Sequence, residues 1–363
     1  MGQPLNIGII GCGTIVDQYL ASLRRLGDVA LVAVADLDAA RARAVAKEWD
    51  GGDVRILSVD ELLAADDVDL VLNLTIPAAH GEIALKAIAA GKHVYGEKPL
   101  AATTGEARLV LKAARLAGVV VGCAPDTVLG TGIQTARKAI DDGLIGAPVA
   151  ATATMVTPGH ERWHPNPDFY YAPGGGPLLD MGPYYITALV TLLGPVTSVI
   201  GAASHTRTER EIGSGPRAGE RVDVHVDTHV TGVLVHESGV LSTLVMSFDA
   251  AATHSANIEV HGPLGTLAVP DPNHFEGDTR LFRLGVGEWE ALPVSAGYLG
   301  AGRGYGVADL AATPATCEPR VGGPLAYHVL DVMESLLNSA ESGSSVMVAS
   351  RAERPSVVPL AEL

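Results

Sequence analysis

The sequence predicts two domains in series: an α/β domain with a parallel sheet over residues 1–125, and an α+β domain rich in antiparallel strands over residues 126–363. Three observations predict it. At 363 residues the chain exceeds what one ordinary core serves, since domains run to roughly 100–200 residues. In the first third, short runs that are apolar throughout alternate with segments of helical period, as for parallel strands covered on both faces. Beyond about Asp126 the strand-like runs lengthen, helices become sparse, and Thr, Val and His alternate as on a sheet with one wet face.

Taken in order, residues 5–10 read as a buried strand and 15–25 as a helix. Residues 30–35 and 39–49 repeat that pair. A weak strand at 54–57 precedes a short helix at 60–65. Residues 70–74 are a strand of nearly pure aliphatics, followed by a helix at 80–90 that Gly91 closes. A short strand at 94–95, a helix at 103–117 closed by Gly118, and a strand at 119–123 complete the domain. The second domain opens with a helix at 133–142. Strands are expected at 149–156, 196–203, 222–235, 240–248 and 257–260, with helices at 185–193 and 325–342. The polar segment 206–220 reads as an exposed loop and the glycine-rich 297–306 as a mobile one.

Composition narrows the function. No apolar run reaches the ~18–20 residues that cross a bilayer. The N-terminal residues 1–6 carry no basic stretch, so no signal peptide and a cytoplasmic location are expected. A net charge of −16 disfavours nucleic acid and anionic membrane. Cys12, Cys123 and Cys317 are odd in number and widely spaced, which fits a reducing compartment and no structural metal.

Gly11-Cys12-Gly13 falls between the first strand and helix. Its first glycine permits the tight turn, and its second lets backbone approach a pyrophosphate resting on the helix N-terminus at Thr14 and Ile15. Val16 occupies the third fingerprint position, where Gly or Ala is usual. Asp36 follows the second strand at the place of a ribose-binding acid, so NAD is expected over NADP; Arg41 leaves room for NADP. Ligands of such sheets bind at the carboxyl ends of strands, which puts Thr75, Ile76, Pro77 and His80 beside the cofactor, along with Asp126 after the last strand. Glu97-Lys98-Pro99 ends the fifth strand, and a cation there polarises a carbonyl or assists a proton donor.

With these residues, the segment 90–94 leading into Glu97-Lys98-Pro99, and the run 174–185 (GGGPLLDMGPYY), the chain resembles the glucose-fructose oxidoreductase, inositol dehydrogenase and rhizopine catabolism (Gfo/Idh/MocA) family along nearly its whole length. The resemblance implies a Rossmann domain followed by a domain on a large, open, mostly antiparallel sheet. It implies that Lys98 contacts the reacting hydroxyl, Glu97 the nicotinamide ribose region, and Asp180 the substrate, with Pro99 fixing the turn through a cis bond. Tyr184 stands where many members carry the catalytic His, and some members carry Tyr there.

Alcohol oxidation needs a base for the hydroxyl proton and a group that fixes which hydroxyl reacts. Asp180 and Tyr184 share a face if a helix begins near Asp180, with Pro183 in its first turn. A phenol titrates near ~10, and the Lys98 ammonium would favour its phenolate. Between 160 and 171, prolines and rings alternate; His164 is expected as a substrate ligand or auxiliary acid/base, with Trp163 and Tyr170 as pocket walls. His160 and His164 lack a third ligand at metal-like spacing, so His160 reads as a loop histidine. Arg303 and Tyr305 are expected to reach the site or a neighbouring subunit.

The expected activity is NAD-dependent oxidation or reduction at a CH–OH carbon of a sugar, glycoside or cyclitol. The alternatives are redox-assisted glycoside cleavage or dehydration with tightly held NAD, and a non-catalytic dinucleotide sensor. A homodimer or homotetramer through the second-domain sheet is expected, because large open sheets are normally covered.

Overall fold

The computed structural model describes residues 4–314 and 317–362. The chain forms two compact units: Met1–Gly130 with Gly297–Leu330 and Val358–Leu363, and Thr131–Ala296 with Asp331–Val357. The sequence division at 125/126 therefore differs from the structure in its later part, because two C-terminal segments return to the first unit.

The first unit holds a six-stranded parallel sheet of β1 (Leu5–Ile10), β2 (Val29–Ala35), β3 (Arg55–Ile56), β4 (Leu70–Asn73), β5 (His93–Gly96) and β6 (Val121–Cys123), in the order β3-β2-β1-β4-β5-β6. The order reverses beside β1, which opens a crevice at the carboxyl ends of β1 and β4. Helices α1 (Val16–Leu23), α2 (Ala39–Glu48), α3 (Val59–Ala64), α4 (Pro77–Ala89) and α5 (Thr104–Ala117) connect the strands. Ile7, Ile9, Val34, Leu70 and Leu72 are all fully buried, and each aliphatic side chain so covered is worth ~1.5–3 kcal/mol. Local chemistry sets the helix ends. Ser58 and Glu61 form a reciprocal capping box on α3; Thr103 caps α5, which Gly118 ends in the left-handed region.

The returning segment 297–330 is pinned. Tyr298 bridges to Gly130 and Ala361, and the helix Tyr305–Ala312 packs on β6 with Tyr305 fully buried. The mobile loop expected at 297–306 is thus a fixed part of this unit, because its backbone N–H groups have a buried acceptor, Asp126.

The second unit carries α6 (Thr131–Asp141), β7 (Ala150–Val156), α7 (Asp168–Tyr171), α8 (Pro177–Leu193), β8 (Val196–Ser204), β9 (Glu209–Glu211), β10 (Arg221–Asp223), β11 (His229–His236), β12 (Leu241–Ser247), β13 (Ile258–Gly262), β14 (Gly265–Val269), β15 (Arg280–Arg283), β16 (Trp289–Ala291) and β17 (Val346–Met347). Nine of these strands form one sheet, β16-β15-β14-β13-β7-β12-β11-β8-β17, in which β7 and β12 alone pair parallel. Helix α8 lies on β11 and β12, and α6 packs on α8 and β14. Leu336, late in the long helix Gly323–Ser342, seats against Gly201 and Gly232. Along β7, Ala151, Ala153 and Met155 face these helices, while Thr152 is exposed on the other face.

Three expectations are corrected here. The run at 222–235 is not one strand: β10 and β11 are separated by residues 224–228, where the chain turns from a hairpin into the main sheet. The segment 206–220 is not a bare loop, since β9 pairs with β10 and buries Arg210. Helix α8 begins at Pro177, eight residues before the expected start, so Pro183 lies inside it rather than in its first turn.

Candidate active site

In the first unit, Gly11 has φ +99, and a Cβ there would lie 2.6 Å from the Leu74 carbonyl carbon, so only glycine lets β1 turn this close to β4. A Cβ on Gly13 would meet nothing within 4 Å, so space is open over the turn. Ile15 precedes α1 with no side-chain cap; Val16 N donates to Gly13 O and Gln18 N to Ile15 O, both at 3.1 Å, which closes the turn tightly at the start of the helix. The carboxylate of Asp36 steadies the turn: one oxygen accepts from Cys12 N at 2.7 Å and the other from Asp38 N at 2.7 Å. Open space over the turn, a helix N-terminus with no side-chain cap and a carboxylate at the end of β2 fit a dinucleotide.

On the far side of β1, Asn73 accepts from the Thr75 hydroxyl at 2.7 Å. The His80 ring spans Thr75 O (2.9 Å) and Pro99 O (2.6 Å), tying the loop after β4 to the loop after β5. Ile76 is 70% exposed and Pro77 opens α4. Glu97, after β5, accepts from the Tyr19 hydroxyl at 2.7 Å and from Lys98 N at 3.1 Å. Burial pushes the Tyr19 phenol well up, with the Glu97 and Asp126 charges adding, so it stays a neutral donor. The Lys98–Pro99 bond is cis.

In the second unit, α8 places Asp180 in its first turn and Tyr184 one turn on. Asp180 Oδ2 lies 3.2 Å from His160 Nε2. Rings gather around His160: Trp163 at 5.2 Å, Tyr170 at 4.7 Å and Phe248 at 4.4 Å between centroids. His164 sits 5.4 Å from Trp163 and 5.5 Å from Tyr170. This aromatic loop is anchored through Glu161, which is bonded by the Tyr171 hydroxyl and by Arg210 at 3.1 Å; Arg210 also binds Asp249. Gly213 N donates to Glu161 O at 2.8 Å, so the β9–β10 hairpin is the scaffold under the loop.

A family model described as "Oxidoreductase family, NAD-binding Rossmann fold" matches residues 5–124, and one described as "GFO/IDH/MocA C-terminal domain" matches residues 133–268. The chain is 33% identical over 264 residues to a 1,5-anhydro-D-fructose reductase of Ensifer adhaerens, covering 72% of this chain and 74% of the relative. The chain belongs to the Gfo/Idh/MocA oxidoreductase family. It is also 27% identical over 263 residues to a myo-inositol 2-dehydrogenase of Thermotoga maritima, covering 72% of this chain and 74% of that one. An NAD binding oxidoreductase from Klebsiella pneumoniae matches with TM-score 0.82 at 27% identity over 96% of this chain and 100% of its own. Levoglucosan dehydrogenase in complex with NADH matches with TM-score 0.80 at 21% identity, over 96% of this chain and 100% of that one, a likeness of fold.

This Gfo/Idh/MocA chain thus has an NAD-binding Rossmann domain, and its relatives by sequence act on sugars and cyclitols. Gly11, Gly13, Thr14, Ile15, Asp36, Thr75, Ile76, Pro77, Glu97 and Lys98 all follow the carboxyl ends of β1, β2, β4 and β5. Trp163, His164, Tyr170, Asp180 and Tyr184 occupy the α8 end of the second unit. His80 is 2% exposed with both ring nitrogens facing carbonyls, so it holds two loops together. Asp126 is fully buried and accepts from Gly304 N at 2.7 Å and Gly306 N at 3.1 Å, holding the start of the helix Tyr305–Ala312. Burial raises its pKa, while the Arg303 guanidinium and those N–H groups pull it down. Tyr305 is fully buried, its ring 5.9 Å from that of Tyr298. His160 emerged only from the fold: its carboxylate partner lies 20 residues on, at no helical spacing. Among the described residues no His, Cys, Asp or Glu cluster suits a metal, and no helix is long and apolar enough to cross a membrane.

Proposed function

We propose that this chain catalyses NAD-dependent hydride transfer at a secondary alcohol, or the matching ketone, of a sugar, glycoside or cyclitol. Lys98 and Tyr184 are the acid–base pair, and Asp180 holds the substrate. The observation that carries the reading is the start of α8, where Asp180 meets His160 of the ring-lined loop of Trp163, His164 and Tyr170, and Tyr184 follows one turn on. Apolar faces of a sugar ring stack on such aromatics while its hydroxyls meet carboxylate and imidazole. The names of the sequence relatives, a sugar reductase and a cyclitol dehydrogenase, agree with that substrate class.

NAD, when bound, supplies the hydride acceptor. The chain's own residues handle the proton. Lys98 follows β5, and its neighbour Glu97 is held at both carboxylate oxygens. In oxidation the hydroxyl proton passes to the Tyr184 oxygen while the Lys98 ammonium stabilises developing negative charge on the substrate oxygen. In reduction the Tyr184 hydroxyl returns the proton. Lys98→Ala is expected to abolish turnover across a sugar and cyclitol panel, read as nicotinamide absorbance, while calorimetry shows near wild-type NAD affinity. Normal turnover by that variant would sink the assignment.

The outward face of the nine-stranded sheet, with Ile200 53% and Leu241 48% exposed, fits burial against a second copy of the chain in a dimer or tetramer. Cys12, Cys123 and Cys317, none of them in a disulfide, fit a cytoplasmic location, which cell fractionation checks.

A further inference from the structure

We propose that His160 is the positioning residue of this site: its imidazole donates to Asp180 and fixes the orientation in which that carboxylate meets a substrate hydroxyl. The inference rests on the reading of Asp180 as the substrate-holding group. A carboxylate only accepts, so the 3.2 Å contact between His160 Nε2 and Asp180 Oδ2 requires the proton on Nε2. Nδ1 is buried with no hydrogen-bond partner. With the proton on Nε2, Nδ1 is a bare lone pair among Trp163, Tyr170 and Phe248, and the ring has a single polar outlet, Asp180. Burying an imidazole to 8% exposure for one bond is costly unless that bond matters, and an orienting partner behind a reacting group is the usual reason.

The backbone over-determines the ring's place. Trp163 N and His164 N both donate to His160 O, at 3.2 and 2.9 Å. Gly159, at φ +110, leaves no room for a Cβ against the Glu161 carboxylate and the Arg210 guanidinium. The titratable and charged groups around the ring include His164 and Tyr170 on the same loop, and Glu161, Arg210 and Asp249, in which two carboxylates flank one cation. Asp180 itself is only partly covered, its side chain 20% exposed, whereas that of His160 is 11% exposed.

The test uses the full chain with NAD and aspartate labelled with ¹³C at the carboxyl carbon. The Asp180 resonance is identified by its loss in Asp180→Asn, and its midpoint is followed by NMR. His160→Phe keeps a ring in the cage and removes the donor; it is expected to raise the Asp180 midpoint by about one pH unit. His160→Gln, whose amide N–H reaches the place of Nε2, is expected to restore it. For whichever panel sugar is turned over, the acid limb of kcat/KM should move with the midpoint, with kcat/KM falling roughly ten- to hundredfold in the Phe variant. An unchanged midpoint in His160→Phe overturns the proposal. So does a wild-type ¹⁵N imidazole spectrum showing the His160 proton on Nδ1, a measurement that needs no variant to fold. Wild-type turnover by Asp180→Asn would instead overturn the underlying role of Asp180, whereas a dead Asp180→Asn beside an unaltered His160→Phe would overturn this inference alone.

Discussion

Replacing Arg210 by Met keeps the stem and removes the cation from between two carboxylates. The Arg210 side chain is 0% exposed, Glu161 4% and Asp249 14%, so neither carboxylate can recover its lost partner from water. Phe248 O also loses a donor at 3.1 Å. Breaking a buried ion pair from one side costs ~3–5 kcal/mol. In a unit of roughly 150–250 residues each kcal/mol is worth about 2–4 °C, so the transition of the second unit should fall by roughly 6–20 °C. Thermal melts followed by circular dichroism measure it, and adding Glu161→Gln to the variant should restore part of the loss. A variant as stable as wild type would refute the view that this buried charge cluster holds the aromatic loop.

Two further outcomes are expected. Burial raises the pKa of Asp126, so wild type loses stability as pH climbs above the unfolded aspartate value; Asp126→Asn lacks that titration, and melts should show the variant gaining on wild type from pH 4 to 8, whereas a constant gap would contradict it. Ile200→Lys combined with Leu241→Lys should lower the mass seen by light scattering to that of one chain, and an unchanged multimer would place the interface elsewhere.

How far the sequence could be read follows from where the partners of each residue lie. Strands such as β2 and β4 were legible because a parallel strand buried on both faces reads as an apolar run, as in VALVAVA over Val29–Ala35. Strands β14 to β17 were not, being short and partly exposed, with Trp289, Glu290 and Ala291 all facing solvent. The start of α8 was hidden because Gly174, Gly175, Gly176 and Pro177 signal a turn, and Pro183 signals a break, although a helix tolerates both at this site. The candidate cofactor turn was legible because its glycines and Asp36 follow local spacing rules. The pairs His160–Asp180 and Glu161–Arg210 were not, because side chains 20 and 49 residues apart meet only once the hairpin β9–β10 has folded.

The first unit is assembled from three stretches of chain, and Asp126 receives its two N–H donors from residues about 180 positions downstream. During synthesis the nucleotide-binding sheet emerges long before the segment that satisfies this acid, so the nascent unit waits with an unquenched buried carboxylate until most of the polypeptide is made. Anyone grafting a substrate domain from one relative onto another must accordingly cut at Gly130, Gly297, Leu330 and Val358 together, since a single splice after the last parallel strand would leave that acid stranded.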